Sequence, residues 1–282
     1  MMIILNVMEA LFMIAVIIFA HKNFNQVRRL VNSLKHNDVD IFMHVDIKAD
    51  FNKDDFKDVH VFKLRADIQW GKITKLDTMM QVFKEVLDLN KYDRFIYMSG
   101  QDYLLKPIDE IVDFLNRNKE KNYLEYSRVE EKHVKDRYLK YRFRNELLDR
   151  ISVKISFRKN VYGDLTTYWG PEWWMLTNDA LKLITDEYFR FYRGKLGHTL
   201  CMDEMIFQTI LVNSKLRSTI VNDNKWYVDW SDHINGLNKG NPNILREKDF
   251  QKMIDSDDFF ARKFDINIDS KILDMLDEHR QG

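Results

Sequence analysis

The segment IAVIIFAH, at residues 14–21, decides how the rest of the chain is interpreted. Together with the apolar residues before it, it has the length of about 20 residues that a membrane span requires. Asn6 and Glu9 interrupt that run, however, and no basic residue precedes it as a signal peptide requires. A membrane anchor stays as an alternative, and the segment is predicted to be a buried β-strand that leads into His21.

Apolar strands and helices alternate after this segment. Strands are predicted at 40–46 (DIFMHVD), 60–64 (HVFKL) and 93–102 (DRFIYMSGQD), with helices at about 25–34 and 74–89. This alternation is typical of an α/β fold with a largely parallel sheet, which binds ligands beyond the carboxyl ends of its strands. The residues predicted at those ends are His21, His44, Asp46, Ser99, Gly100, Gln101 and Asp102.

The composition restricts the classes of function. The 282 residues contain 44 Lys and Arg against 44 Asp and Glu, and this balance argues against nucleic acid as the main partner, because phosphate binding normally leaves a basic excess. The single cysteine, Cys201, excludes an internal disulfide framework and favours a cytoplasmic location. Few Gly and Pro residues are present, so one catalytic domain is expected over 13–282, with 1–12 as an N-terminal extension.

Two adjacent carboxylates, Asp203 and Glu204, open the stretch DEMIFQTIL at 203–211. The apolar residues that follow have helical spacing, which predicts a helix that starts at the pair with Asp203 as its N-cap. Acids at a helix start usually have only a structural role, because they favour the positive end of the helix dipole. The residues elsewhere in the chain decide whether this pair does chemistry.

Aromatic and basic residues are concentrated in the second half of the chain. The sequence YWGPEWWML, at 168–176, places three tryptophans around a Gly-Pro turn, and they cannot all point inward. Such rings at the edge of a cleft are good platforms for sugars. The segment 127–158 is dense in Arg, Lys and Tyr; it is predicted to contain one helix, at about 130–149, and its charges are interpreted as a solvated face.

Eight motifs occur in order between about residue 14 and the end of the chain. They are AHKNF at 20–24, HVD at 44–46, WG at 70–71, SGQDYLL at 99–105, YWGPEWWML at 168–176, DEMIFQTIL at 203–211, YVDWS at 227–231 and FFARKFD at 259–265. In this combination the sequence resembles the core-2/I-branching β-1,6-N-acetylglucosaminyltransferase family, which includes the peptide O-xylosyltransferases.

The resemblance implies an inverting glycosyltransferase with a GT-A-like fold that uses a UDP-sugar as donor substrate and needs neither a metal ion nor another cofactor. By this resemblance Glu204 would be the catalytic base, Asp46 would recognise uracil, Lys263 would neutralise the diphosphate and Trp230 would stack on the acceptor. The second basic residue for the diphosphate is left open. The predicted site comprises Glu204 and Asp203 as catalytic residues; His21, Asp46, Gly100, Asp102, Arg262, Lys263 and Lys239 for the nucleotide-sugar; and Trp173, Trp174 and Trp230 for the acceptor.

The expected reaction is the transfer of GlcNAc, or alternatively xylose, to a hydroxyl of a glycan or lipid-linked glycan. Surface or capsular polysaccharide synthesis at the inner face of the membrane, with peripheral membrane association, is the expected setting. Two other classes stay open. A glycoside hydrolase also uses carboxylates in an aromatic cleft, and a non-catalytic sugar- or nucleotide-binding module would need the same binding residues.

Overall fold

The computed structural model describes residues 12–143, 145–234 and 241–281. The strands are Ile14–Ala20 (β1), Val39–Val45 (β2), His60–Val61 (β3), Arg94–Ser99 (β4), Asp102–Leu104 (β5), Asn122–Tyr123 (β6), Ser127–Arg128 (β7), Tyr168–Trp169 (β8), Trp174–Thr177 (β9), Ile220–Val221 (β10), Trp226–Val228 (β11) and Phe260–Arg262 (β12). The helices are Phe24–Ser33 (α1), Ile73–Leu87 (α2), Ile108–Arg117 (α3), Lys132–Leu139 (α4), Glu146–Ile155 (α5), Asn178–Glu187 (α6), Ile206–Val212 (α7), Ser231–Ile234 (α8), Phe250–Ile254 (α9) and Lys271–Gln281 (α10).

The main sheet has seven strands in the order β10-β6-β9-β4-β1-β2-β3. Neighbouring strands are parallel except around β9, which runs antiparallel to β4 and to β6. The order β3-β2-β1-β4 is that of a Rossmann-type sheet, whose parallel strands are joined by crossover connections. The prediction of an α/β, GT-A-like fold, with a largely parallel sheet flanked by helices, is confirmed.

The central strand β1 is buried along its whole length. Ile14, Val16 and Ile18 belong to the apolar core on one face of the sheet, whereas Ala15 and Ile17 belong to the core on the other face. Burial on both faces is expected for a parallel strand covered by helices on each side. The segment predicted as a strand is therefore a core strand. None of the described helices combines the length and the hydropathy needed to cross a bilayer.

A second, three-stranded sheet has the order β11-β12-β5. Strand β12 is parallel to β11 and antiparallel to β5, and this pairing places Arg262 opposite Asp102. Because β5 follows β4 after a tight turn, the second sheet continues from the edge at which the main parallel strands end. The carboxyl-terminal FFARKFD segment thereby reaches the same edge as the SGQD segment.

Two predicted helices differ from the structure. The helix expected at 130–149 is divided into α4 and α5, because Asn145 caps the second helix through a bond from the N–H of Leu148, and Asp149 accepts from Arg142 and from the N–H of Phe143. The helix expected at the acidic pair begins later than predicted. Asp203 and Glu204 lie in a 3₁₀ turn, and α7 follows it.

Candidate active site

Three of the predicted donor-side residues meet at one edge of the main sheet. The register pairs Ala20 of β1 with Val45 of β2, and Phe19 of β1 with Ser99 of β4, so these three strands end at the same level. The residues that directly follow the strand ends are His21, Asp46 and Gly100. The sequence-based placement of these residues at a common edge is therefore confirmed.

Asp46 is a buried carboxylate with a fixed orientation. It accepts hydrogen bonds from the backbone N–H groups of Lys48 (2.9 Å) and Ile68 (3.0 Å), and the ammonium group of Lys48 lies 2.8 Å from its Oδ1. Burial alone would raise the pKa of Asp46, but these bonds outweigh burial and lower it. The side chain is thus held ionised beside His21. The predicted role in uracil recognition requires such an acceptor for a nucleobase N–H.

Cationic side chains gather at the same edge. The ammonium group of Lys22 lies 2.7 Å from Asp265, which also accepts from the side chain of Asn23. Burial lowers the pKa of Lys263, and the positive charges of Arg262 and Lys22 lower it further. An anion bound here would relieve this repulsion, so the cluster has the electrostatics of an anion site. Lys239, the other predicted cation, lies outside the described residues.

Asp102 holds Arg262 in place. Its carboxylate is fully buried, accepts from the N–H of Ser99 at 2.7 Å, and lies 3.0 Å from Nη1 of Arg262. The guanidinium carbon of Arg262 lies 3.4 Å from the ring centroid of Trp173. Burial raises the pKa of Asp102, and the charge of Arg262 opposes that increase. The predicted donor contact by Asp102 is corrected: without exposed surface, it can act only by positioning Arg262.

Gly100 shapes the edge by close packing. A Cβ atom at this position would lie 2.8 Å from Cγ2 of Val27 on α1. Its N–H donates to Phe19, and its carbonyl oxygen accepts from the side chain of Gln26. Gly100 therefore has a packing role in this structure, and its contact with the donor stays a prediction.

Glu204 has the properties of a base that titrates near neutrality. Its Oε2 atom lies 2.5 Å from Nη1 of Arg137, and its side chain is partly exposed. Burial raises the pKa of Glu204 to about 7; the negative charge of Asp203 adds to this effect and Arg137 opposes it. A carboxylate with this pKa can accept a proton from a substrate hydroxyl at neutral pH.

Asp203 and Glu172 share one largely buried lysine. Nζ of Lys75, on α2, lies 2.8 Å from Asp203 and also forms an ion pair with Glu172. Burial disfavours the charged form of Lys75, but the two carboxylates outweigh it and raise its pKa. Burial raises the pKa of Glu172. The predicted cap by Asp203 is wrong, because the N-cap of α7 is Met205 and no side chain caps that helix.

The sequence-based prediction missed three residues of this site: Lys75, Arg137 and Glu172. Lys75 could have been found from the sequence, since a lysine on the apolar side of a helix, four residues before Met79, is expected to have a buried partner. Arg137 was hidden in a charged segment interpreted as solvated. Glu172 was part of a recognised motif in which only the tryptophans drew attention.

Gly170 connects the turn that carries Glu204 to the tryptophan segment. Its N–H donates to the carbonyl oxygen of Glu204 at 2.9 Å. A Cβ atom on Gly170 would lie only 2.2 Å from the carbonyl oxygen of Glu125, so this position accommodates no side chain. Glu172 follows two residues later, and the two acidic segments are thus held together through a backbone contact.

The predicted acceptor tryptophans occupy very different environments. Trp174 is fully buried and packs against Tyr97 and Phe207, so it has no free face, and its predicted acceptor role is wrong. Trp173 is also buried, with the guanidinium group of Arg262 over its ring. The prediction that the three rings could not all point inward agrees with the structure, since Trp169 is only partly buried.

Two exposed tryptophans remain at the site. Trp230 is 37% exposed and follows β11, whose last residue Val228 is paired with Arg262. Trp70 is 72% exposed, and the carbonyl oxygen of the adjacent Gly71 accepts from the N–H of Cys201, directly before the turn that carries Glu204. Trp230 was predicted as an acceptor platform, and Trp70 is an additional ring on the side of Glu204.

Within residues 12–143, 145–234 and 241–281, no group of three or more His, Cys, Asp or Glu side chains has an arrangement that could hold a metal ion. Trp173 lies between the cations at the sheet edge and the carboxylates around Lys75. Its ring contacts the guanidinium group of Arg262, and the preceding residue, Glu172, pairs with Lys75.

Curated xylosyltransferases match most of this chain. Human xylosyltransferase 2 is 25% identical over 95% of this chain and 34% of its own length, and mouse xylosyltransferase 1 is 25% identical over 95% of this chain and 30% of its length. The chain thus spans about a third of these curated relatives. A 4-diphosphocytidyl-2C-methyl-D-erythritol synthase structure from Anaerococcus prevotii superposes with a TM-score of 0.33 at 9% identity, covering 63% of this chain and 75% of that one.

The sequence profile described as "Core-2/I-Branching enzyme" matches residues 14–254. This range begins with the central strand β1, includes the strand ends with His21, Asp46 and Gly100, and extends past the turn that carries Asp203 and Glu204. The chain belongs to the Core-2/I-branching enzyme family.

Proposed function

We propose that this protein is an inverting glycosyltransferase that moves a sugar from a UDP-sugar to a hydroxyl group of a glycan acceptor, with Glu204 as the base. The observation that carries this proposal is the Glu204 carboxylate, whose pKa is raised to about 7 beside Arg137 in a family of branching enzymes. Inversion requires one base on the face of the sugar opposite the leaving group.

In the proposed reaction every bond formed and broken, and the transferred proton, is accounted for. The acceptor hydroxyl oxygen forms a bond to the anomeric carbon as the bond from that carbon to the UDP oxygen breaks, and Glu204 takes the hydroxyl proton. Arg137 keeps enough of Glu204 ionised to act, since a cation favours the carboxylate form. Asp203 and Glu172 are neutralised in part by Lys75 and hold the turn in position.

The leaving UDP gains negative charge, and the cations at the sheet edge can stabilise it. Lys263 and Arg262 lie on adjacent positions at the end of β12, and Lys22 contributes its charge from the loop between β1 and α1. Preorganised positive groups of this kind lower the energy of a developing anion. Independence of metal ions is part of the proposal, and the repulsion among these cations supports it.

The donor sugar is xylose or GlcNAc. Relatives named xylosyltransferases support xylose as the first sugar to test, and the family description supports a branching GlcNAc transfer. A glycan or lipid-linked glycan is the proposed acceptor, in surface or capsular polysaccharide synthesis at the inner membrane face.

Turnover of UDP-sugars by wild type and Glu204→Gln tests the proposal. The variant should bind UDP normally and lose activity by about a hundredfold to ten-thousandfold, the range for removal of a general base. Glu85→Gln, an exposed residue of α2, is the matched control and should retain full activity. Release of free sugar from oligosaccharides without UDP binding would indicate a hydrolase, and UDP binding without any turnover would indicate a binding module.

A further inference from the structure

Helix α5 and the residue two positions after its end expose a group of large apolar side chains. Leu147 is 67% exposed, Ile155 is 79% exposed and Phe157 is 74% exposed, with Leu148 and Ile151 also exposed between them. We call these five residues the α5 face. Leu147, Ile151 and Ile155 are spaced by four residues, so they lie on one side of the helix.

The orientation of α5 is fixed with its polar side inward. The hydroxyl of Ser152 is buried and donates to the carbonyl oxygen of Tyr141 at 2.7 Å. The carboxylate of Asp149 forms a two-point ion pair with Arg142, at 2.8 and 3.0 Å. These contacts hold the apolar side toward solvent, which is the reverse of an ordinary surface helix. A contiguous apolar surface of this kind indicates a binding partner.

The segment that contains the α5 face has an excess of basic residues. Residues 140–159 contain Lys140, Arg142, Arg144, Arg150, Lys154, Arg158 and Lys159 against two acids, Glu146 and Asp149. The chain as a whole is neutral, so this excess is local. Arg150, Lys154 and Lys159 are exposed. Exposed apolar side chains flanked by Lys and Arg are typical of helices that lie in the interface of an anionic membrane.

We propose that the α5 face docks this protein on an anionic lipid bilayer, with the apolar side chains inserted among the headgroups and the flanking cations at the lipid phosphates. A second copy of the chain fits less well. A two-fold symmetric contact through this face would bring the same cations of both copies together, whereas a bilayer surface of opposite charge complements them.

The segment that leads into the α5 face is connected to the turn that carries Glu204. The N–H of Arg142 donates to the carbonyl oxygen of His198, and the N–H of Leu200 donates to that of Arg137. Residues 198–200 lead directly into the turn that carries Glu204. Docking would therefore bring the base toward the headgroup layer, where the hydroxyls of a lipid-linked glycan lie; this last step rests on the proposed function, whereas the docking itself does not.

Sedimentation of the full chain with vesicles tests the docking. Vesicles of phosphatidylcholine mixed with phosphatidylglycerol should bind the wild-type protein, and vesicles of phosphatidylcholine alone should bind it much more weakly. Raising the salt concentration should weaken binding, because surface charges are screened. The triple variant Leu147→Ser, Ile151→Ser, Ile155→Ser should bind about tenfold more weakly or worse, and the charge variant Lys154→Glu, Lys159→Glu should lose the preference for the anionic lipid.

The variant Leu89→Ser, Ile268→Ser removes exposed apolar residues elsewhere and should bind vesicles normally. All variants should keep the wild-type melting temperature, since the changed side chains are exposed. The proposal would be overturned if the wild-type protein did not bind anionic vesicles, or if the triple variant bound them as well as the wild-type protein does. A dimer that the triple variant abolishes would also overturn it in favour of self-association. Turnover with a soluble acceptor is measured separately, so loss of vesicle binding and loss of activity are distinguishable.

Discussion

Arg262 and Asp102 are paired through both the backbone and the side chains. They are opposite residues in the antiparallel β12–β5 pair, and Nη1 of Arg262 lies 3.0 Å from Oδ1 of Asp102. Both residues are buried, so water compensates neither charge. Strand pairing therefore fixes Arg262 beside Lys263 at the edge of the main sheet. Removal of Asp102 would leave the buried charge of Arg262 without a partner.

We expect Asp102→Asn to lower the free energy of unfolding by about 3 kcal/mol, the effect of breaking a buried ion pair. The double variant Asp102→Leu, Arg262→Met should regain most of that stability but bind UDP weakly, because the cation is gone. Denaturant unfolding and UDP calorimetry measure the two effects. Asp113→Asn, an exposed change, is the control. Equal stability of Asp102→Asn and wild type would show that the pair contributes little.

The dependence of kcat/KM on pH should report the ionisation of Glu204. Its pKa is about 7, and only the ionised carboxylate accepts a proton, so kcat/KM should rise with pH below that value and level off above it. Initial rates across a pH series measure this profile. A profile that is flat through neutrality would exclude Glu204 as the base.

Arg137→Gln should move the same limb of the profile to higher pH, because the cation that favours ionised Glu204 is removed. A purely structural role for Arg137 would lower the rate without moving the limb. Arg117→Gln, an exposed residue on α3, should leave both the rate and the limb unchanged.

Lys75→Met should destabilise the protein strongly near neutral pH, by about 3 to 5 kcal/mol, since two buried carboxylates lose their shared cation. Burial already raises the pKa of Glu172, and loss of the cation would raise it further above its unfolded value. The penalty should therefore be largest at and above neutrality and shrink as the pH falls toward about 4. Unfolding at several pH values tests this, with Lys84→Met on the exposed side of α2 as control. A pH-independent loss would argue against the carboxylates as its cause.

Lys263→Ala should weaken UDP binding by about tenfold to a hundredfold, the range for loss of a charged hydrogen bond. Titration calorimetry measures the affinity, and Lys57→Ala, at an exposed position, should bind normally. Turnover should persist in EDTA if cationic side chains alone stabilise the leaving diphosphate. Unchanged UDP affinity in Lys263→Ala, or activity that requires added manganese, would contradict that part of the proposal.

Trp230→Ala and Trp174→Ala should have opposite consequences. The partly exposed ring of Trp230 is expected to contact the acceptor, so its loss should raise the acceptor KM and lower the melting temperature much less than loss of Trp174. Loss of the fully buried Trp174 should cost about 3 to 5 kcal/mol of stability. Acceptor kinetics and thermal unfolding separate the two roles. A Trp230→Ala variant with normal kinetics would place the acceptor elsewhere, with Trp70 as the next ring to test.

Strands β1, β2 and β4 could be predicted because burial on both faces leaves long apolar runs in the sequence, whereas the short strands β6, β9 and β10 of the same sheet were not predicted. The carboxyl ends of β1, β2 and β4 could be placed together because parallel strands share one edge. The break between α4 and α5 could not be predicted from local pattern alone, since it depends on how Asp149 and Asn145 bond to neighbouring backbone and to Arg142.

The ion pairs of the site could not be predicted from the sequence, because they join segments that are distant along the chain. Lys75 and Glu172 are 97 residues apart, and Arg137 and Glu204 are 67 apart. Successive side chains of a strand point to opposite faces, so the register of β9 decided that Trp174 enters the core. The role of Glu204 as base stays a prediction.

Gly170 makes the site sensitive to a change that alters no charge. Its amide proton fixes the peptide of Glu204, and a methyl group on its Cα would collide with the peptide oxygen of residue 125. Even the smallest replacement would displace the turn bearing Glu204 and the loop bearing Glu172 in one movement. The relative placement of two acids that are separated by more than thirty residues of sequence is thereby set by the absence of a single carbon atom.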